Sequence, residues 1–174
     1  MRKYILYIIG VMFALSAEAQ TQMDKELLFV YNLRTQYRRL KVNFTEQKDT
    51  LTMHWTFTND AGTKRGTFTM TPKARQHATR ICYVMPTNGE NIAVPDDELF
   101  AVISRDALDS LNTNGSCHYN NTTLTLVDRT ETQLHVKDYD EGYEMWIDNN
   151  PTFPLIRKML NNPVEIDWEV FNSE

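Results

Sequence analysis

Glycine and proline are scarce in this chain, with six of each in 174 residues. The five glycines beyond residue 19 stand in separate turns, so no glycine-rich loop can cradle a phosphate. Histidine is also thin. His54, His77, His118 and His135 are the only imidazoles, and no two share a metal-ligand spacing on a helix or strand. Cationic residues are outnumbered, 18 Lys and Arg against 23 Asp and Glu, for a net charge of −5. That balance argues against a nucleic-acid partner, which needs clustered Lys and Arg. The one basic cluster, Arg34, Arg38, Arg39 and Lys41, reads as a solvated strand face. No apolar run approaches the roughly 20 residues needed to span a bilayer.

What is present at the start is an address. Met1-Arg2-Lys3 is cationic, Tyr4 to Leu15 carries no charge, and Ala17 and Ala19 form a small-x-small site. This pattern predicts a signal peptide over residues 1–19, cleaved before Gln20. The apolar run of about a dozen residues is too short for an uncleaved anchor. The mature product, residues 20–174, is expected to be one soluble α+β domain, periplasmic or secreted, with no membrane span. Cleavage removes Arg2, Lys3 and Glu18 and moves the net charge to −6.

An oxidising compartment favours pairing of the only two cysteines, Cys82 and Cys117. The disulfide would close a loop of about 36 residues, for about 3–4 kcal/mol in the chain-entropy model. The other reading is a reactive thiol with His118 beside Cys117. Sequence neighbours on a strand point to opposite faces, which places that imidazole poorly.

Hydrophobic alternation predicts the fold class. Leu27 to Leu33 reads as a first strand after a flexible start over residues 20–26. Leu40, Val42 and Phe44 share one face of a second. Leu51, Met53, Trp55 and Phe57 alternate with polar residues, the signature of a half-buried strand. Asn59 to Gly62 turns this strand into Gly66–Met70, a hairpin with a loop slightly longer than the tightest type. Thr71-Pro72 opens a short helix, and Ser104 caps another over Arg105–Leu111. These two capped units look alike, 33 residues apart. Leu99 to Ile103 reads as a buried strand. The last third is a run of hairpins, with Pro154 to Leu160 read as a helical turn or two. The sum is α+β: a mainly antiparallel, twisted sheet of hairpins with two or three short helices.

No dense catalytic or cofactor motif emerges, so no catalytic, cofactor-binding or metal residue is assigned. Ser104 lacks the flanking glycines of a nucleophile elbow and reads as a cap. Asp138-Tyr139-Asp140-Glu141-Gly142 opens like a calcium loop but lacks the later oxygen ligands, and reads as a hairpin turn. Asp96-Asp97-Glu98 suits a loop. Glu144 and Asp148 would sit on one strand face about 13 Å apart, too far for glycoside hydrolysis. Carboxylates from separate strands stay open. Thr52, Thr56, Thr58, Thr67 and Thr69 surround His54 on a wet face, as threonine does on strands.

Asp96 to Arg105, Met145-Trp146-Ile147-Asp148 and Asn161 to Trp168 resemble stretches in uncharacterised secreted proteins of Bacteroidota. The likeness covers residues 50–170. It implies a Gram-negative envelope setting and assigns no role to any residue. The expectation is an exported, non-catalytic binding or accessory module with a glycan or protein partner in the envelope. The alternatives are a hydrolase acting on glycans or peptides, and an inhibitor presenting the loop 86–97.

Overall fold

The computed structural model describes residues 21–33, 36–84 and 89–173. The leader, Arg34 and much of the tip of the 86–97 loop lie outside them. The expected α+β class holds in its β-rich form, a mixed but mainly antiparallel sheet of 11 strands with two short helices. A first meander comprises β1 (Thr21–Leu33), β2 (Gln36–Gln47), β3 (Thr50–Asn59) and β4 (Gly62–Met70). A covering segment follows with α1 (Pro72–His77), β5 (Arg80–Ile81), β6 (Asn91–Ala93), β7 (Glu98–Leu99) and α2 (Arg105–Asn114). The second meander is β8 (Ser116–Tyr119), β9 (Thr122–Arg129), β10 (Gln133–Lys137), β11 (Glu144–Asp148), β12 (Ile156–Leu160) and β13 (Ile166–Asn172).

The sheet order is β6-β4-β3-β2-β1-β13-β12-β11-β10-β9-β8, so the first and last strands meet in its interior. β6 is the one parallel member, and β5 and β7 form a separate parallel pair. The inward row of each long strand is mostly apolar. Phe29 and Tyr31, Leu40 to Phe44, Leu51 to Trp55, Phe68 and Met70 fill one half; Val136, Met145, Ile147, Met159 and Trp168 fill the other. Phe100, from the covering segment, joins the halves. Its ring stacks on Phe68 at 4.2 Å and lies 6.2 Å from Trp168. In a flat sheet β4 and β13, four strand spacings apart, would be separated by about 19 Å. Sharing one ring brings their side chains within about 10 Å of each other. The sheet therefore curls round Phe100.

Caps behave as their residues dictate. The Thr71 hydroxyl accepts from Ala74 N at 3.1 Å, and Ser104 Oγ accepts from Ala107 N at 3.3 Å. α2 runs on to Asn114 and stops at Gly115, in the left-handed region at φ 71°.

Five expectations are corrected. β1 already begins at Thr21, within the stretch read as a flexible start. The β3–β4 loop is only Asp60-Ala61, because Asn59 pairs with Gly62. Residues 156–160 form β12 rather than a helix. The Cys82–Cys117 disulfide is not formed: both cysteines are free and buried. They belong to different layers. Cys82 follows β5 in the covering segment, where its amide donates to Leu99 O, while Cys117 lies on β8 opposite Leu124. The apolar run 99–103 is buried but not one strand. Ala101 sits at φ 62°, and the segment instead bridges to Leu155 through Val102.

Candidate ligand-binding cleft

The inner face of the first meander passes from closed to open along its strands. On β3 burial falls from Trp55 through half-buried Phe57 to exposed Asn59; on β4 it falls from Phe68 to exposed Lys64. The covering helices explain this. α1 is tied to the β2–β3 turn, where the buried Arg75 guanidinium donates to Asp49 Oδ1 at 2.8 Å and to Thr152 O at 2.8 Å. The helices therefore cover the end near Leu51 and Met70 and leave the β3–β4 turn end uncovered. There a cleft of about 290 Å3 opens.

Its floor is Tyr31, Leu40 and Trp55, only 1–2 % exposed, and its sides are Arg38, Phe57, Asn59 and Lys64. Arg38 pairs with Tyr31 across β1 and β2, so both occupy the inward row. Trp55 pairs with Gly66, and this glycine fixes the indole. A Cβ there would stand 2.6 Å from Trp55 Cζ2 and 2.1 Å from Glu90 O. The ring thus lies over backbone that a side chain would occupy.

Two floor atoms are anomalous. The Tyr31 hydroxyl and the Trp55 Nε1 hydrogen-bond donor are buried without a partner among the described residues. Such orphaned groups cost about 1–3 kcal/mol each and are rare in folded proteins. Burial pushes the Tyr31 hydroxyl's pKa up; the nearby Arg38 guanidinium opposes this without closing a hydrogen bond of good geometry. A shallower groove of about 230 Å3 lies on the outer face, lined by Val30, Asn32, Tyr37, Lys158, Asp167 and Glu169 among others.

The structure disperses most of the candidates read from sequence. The basic cluster divides: Arg38 turns into the cleft, while Lys41 is exposed and bonds Glu26 at 2.8 Å. His54 contacts the Thr45 hydroxyl at 3.0 Å on the threonine-rich face, and His77 contacts Asp106 at 2.7 Å. His118 is exposed on the face opposite buried Cys117. Among the described residues no His, Cys, Asp and Glu group could hold a metal ion. Asp138 is buried and accepts the amides of Asp140 and Glu141, a turn device rather than a ligand set. Asp96 bonds Thr71 Oγ1 at 2.7 Å.

Glu144 and Asp148 are claimed separately. Glu144 meets His135 at 2.8 Å and Lys137 at 3.1 Å, and Asp148 takes two bonds from Arg157 Nε. Hydrogen bonds from Arg105, Thr71, His77 and His135 are the chief cause holding Asp49, Asp96, Asp106 and Glu144, respectively, below their usual range. The cleft itself went unread in the sequence. Its one local signal was a glycine inside a strand facing a tryptophan, a mark of close backbone approach.

Fold and cleft together define a curled, mainly antiparallel sheet protein with a small, cation-flanked aromatic cavity. No protein-family model, curated protein or solved structure matches the chain. No helix among the described residues is long and apolar enough to cross a membrane.

Proposed function

We propose that the chain is an exported, non-catalytic binding module and that the Tyr31–Trp55 cleft is where it binds. One observation carries this reading: two buried hydrogen-bonding groups without partners among the described residues belong to Tyr31 and Trp55, side chains that line an open cavity. A bound group that completes them would recover a cost the empty fold bears. The leader-like start and the likeness to secreted Bacteroidota proteins support an envelope setting.

The hydrolase alternative has less behind it. A general acid needs a carboxyl protonated near neutral pH. The carboxyls of Asp49, Asp96, Asp106 and Glu144 are displaced the other way, toward the ionised form. Asp167 and Glu169 share the outer groove but come from one strand rather than two.

The test is a small-molecule fragment screen of the 15N-labelled chain from Gln20, read at the Trp55 indole N–H. Hits should move that resonance saturably and leave the Trp168 indole, bonded to Ile156 O, unmoved. Hits that leave Trp55 still and collect elsewhere, or turnover of chromogenic glycosides or peptides, would defeat the proposal.

A further inference from the structure

We infer that the occupant of the cleft carries an oxyanion, a carboxylate or a phosphate, on a small apolar body. The inference rests on the cleft being the binding site and adds the chemical class. The polar inventory leans to donors, because the one side-chain carbonyl of the lining, Asn59 Oδ1, already accepts from Ala61 N at 3.0 Å. The indole N–H only donates, the guanidinium of Arg38 only donates, and so does the ammonium of Lys64. The Tyr31 hydroxyl can donate once it has an acceptor to face. Among the described lining residues there is no Asp or Glu. A ligand must therefore supply acceptors.

Charge decides between neutral and anionic acceptors. Two cationic side chains flank a floor of nearly buried side chains, and hydrogen bonds to an ionised acceptor are roughly twice as strong as neutral ones. A cationic ligand would meet Arg38 and Lys64 and be repelled. Leu40, Phe57 and the face of Trp55 supply apolar contact for a ring or short chain. The volume of about 290 Å3 lies at the low end for small-molecule sites, which run to about 1,000 Å3. It admits a small molecule or the tip of a larger one. Gly66 belongs to the device, because a Cβ there would stand 2.6 Å from Trp55 Cζ2 and force the indole to shift.

The experiment is an NMR titration of the full chain from Gln20 with four probes of one shape: phenyl phosphate, benzoate, benzyl alcohol and benzylamine. The Trp55 indole resonance, assigned by its loss in Trp55→Phe, is the readout. Trp168, whose indole already donates to Ile156 O at 3.2 Å, is the internal control. The anions should shift the Trp55 resonance downfield and saturate, with benzyl alcohol at least about tenfold weaker and benzylamine silent. Added salt should weaken the anions alone. Arg38→Gln should lower anion affinity about tenfold, and Arg38→Lys should restore part of it. The ratio of phenyl phosphate to benzoate affinity tells which oxyanion the cleft favours. Benzyl alcohol binding as tightly as the anions at Trp55 would overturn the charge assignment and leave the cleft standing as a site. Silence of Trp55 toward all four probes would overturn both.

Discussion

At the scale of single residues, Asp49 ties both helices of the covering layer to the sheet. It sits in a two-residue turn with Lys48, both at positive φ, and its carboxylate takes bonds from Arg105 and Arg75. Arg75 is 5 % exposed and also pairs with Glu46. Hydrogen bonding from Arg105, aided by both guanidinium charges, holds the Asp49 carboxyl below its usual range. A depressed folded pKa contributes stability above the unfolded value, near pH 4, which is lost as pH falls through the folded value. Asp49→Asn tolerates the left-handed backbone and removes only the charge. It should cost about 1–2 kcal/mol at pH 7, a figure kept low by the partial exposure of Asp49. Urea unfolding at pH 7 and pH 3 checks this, because the gap to the parent should narrow at the lower pH. The two cysteines make a second residue-scale prediction. Burial pushes the Cys82 thiol up and the Cys117 thiol up to about 12. At pH 8 iodoacetamide should label neither in the folded chain and both in urea without reductant. A requirement for reductant would show a disulfide instead.

At the scale of elements, β4 depends on its one interior glycine. Gly66→Ala drives a methyl group against Trp55 and against the carbonyl of Glu90, which receives the Thr67 amide beside edge strand β6. Overpacking of this kind costs about 1–3 kcal/mol. The variant should lose that much in urea unfolding and shift the Trp55 indole resonance, with Trp168 unmoved; an unchanged Trp55 signal would contradict the packing. Elements were legible where one face is wet and one buried. β3 and β10 show strict alternation, and their residues fell on the faces that period 2 assigns. β12 was not legible for a definite reason. A register irregularity in its pairing with β11, between Trp146 and Ile147, makes Ile156 and Met159 the buried positions. That spacing of three imitates a helix. The run 99–103 misled differently: its residues are buried on every side, so no period distinguishes a strand from a threaded core segment. The cleft was illegible because its rows come from four strands, and Arg38 looked like its exposed neighbours Arg39 and Lys41 until pairing with Tyr31 placed it inward.

At the scale of the whole molecule, the two ends of the chain are the seam. β1 and β13 pair over seven positions, from Leu27 with Asn172 to Leu33 with Ile166, and Ser173 adds bonds to Glu26 O. The first meander holds the cleft and the second holds the Met145–Ile147 half of the core; the β1–β13 ladder joins them within the sheet. β13 also carries Trp168, which contacts Phe29 at 5.4 Å and reaches Phe100. Contacts this distant in sequence must be made after most of the chain exists, which places folding in the slow range for β-rich domains, milliseconds to seconds. Truncation after Pro163 removes the seam and leaves unpaired edges on β1 and β12. It also removes Ile166, Trp168 and Val170 from the core, and large apolar truncations cost about 2–5 kcal/mol each. Three such losses approach the 5–15 kcal/mol that typically holds a domain folded. The truncated chain should therefore show no cooperative urea transition and no near-ultraviolet circular dichroism of packed aromatic rings. A cooperative transition with only a lowered midpoint would mean that each meander is stable by itself, and that the cleft does not need the terminal strands to close the sheet behind it.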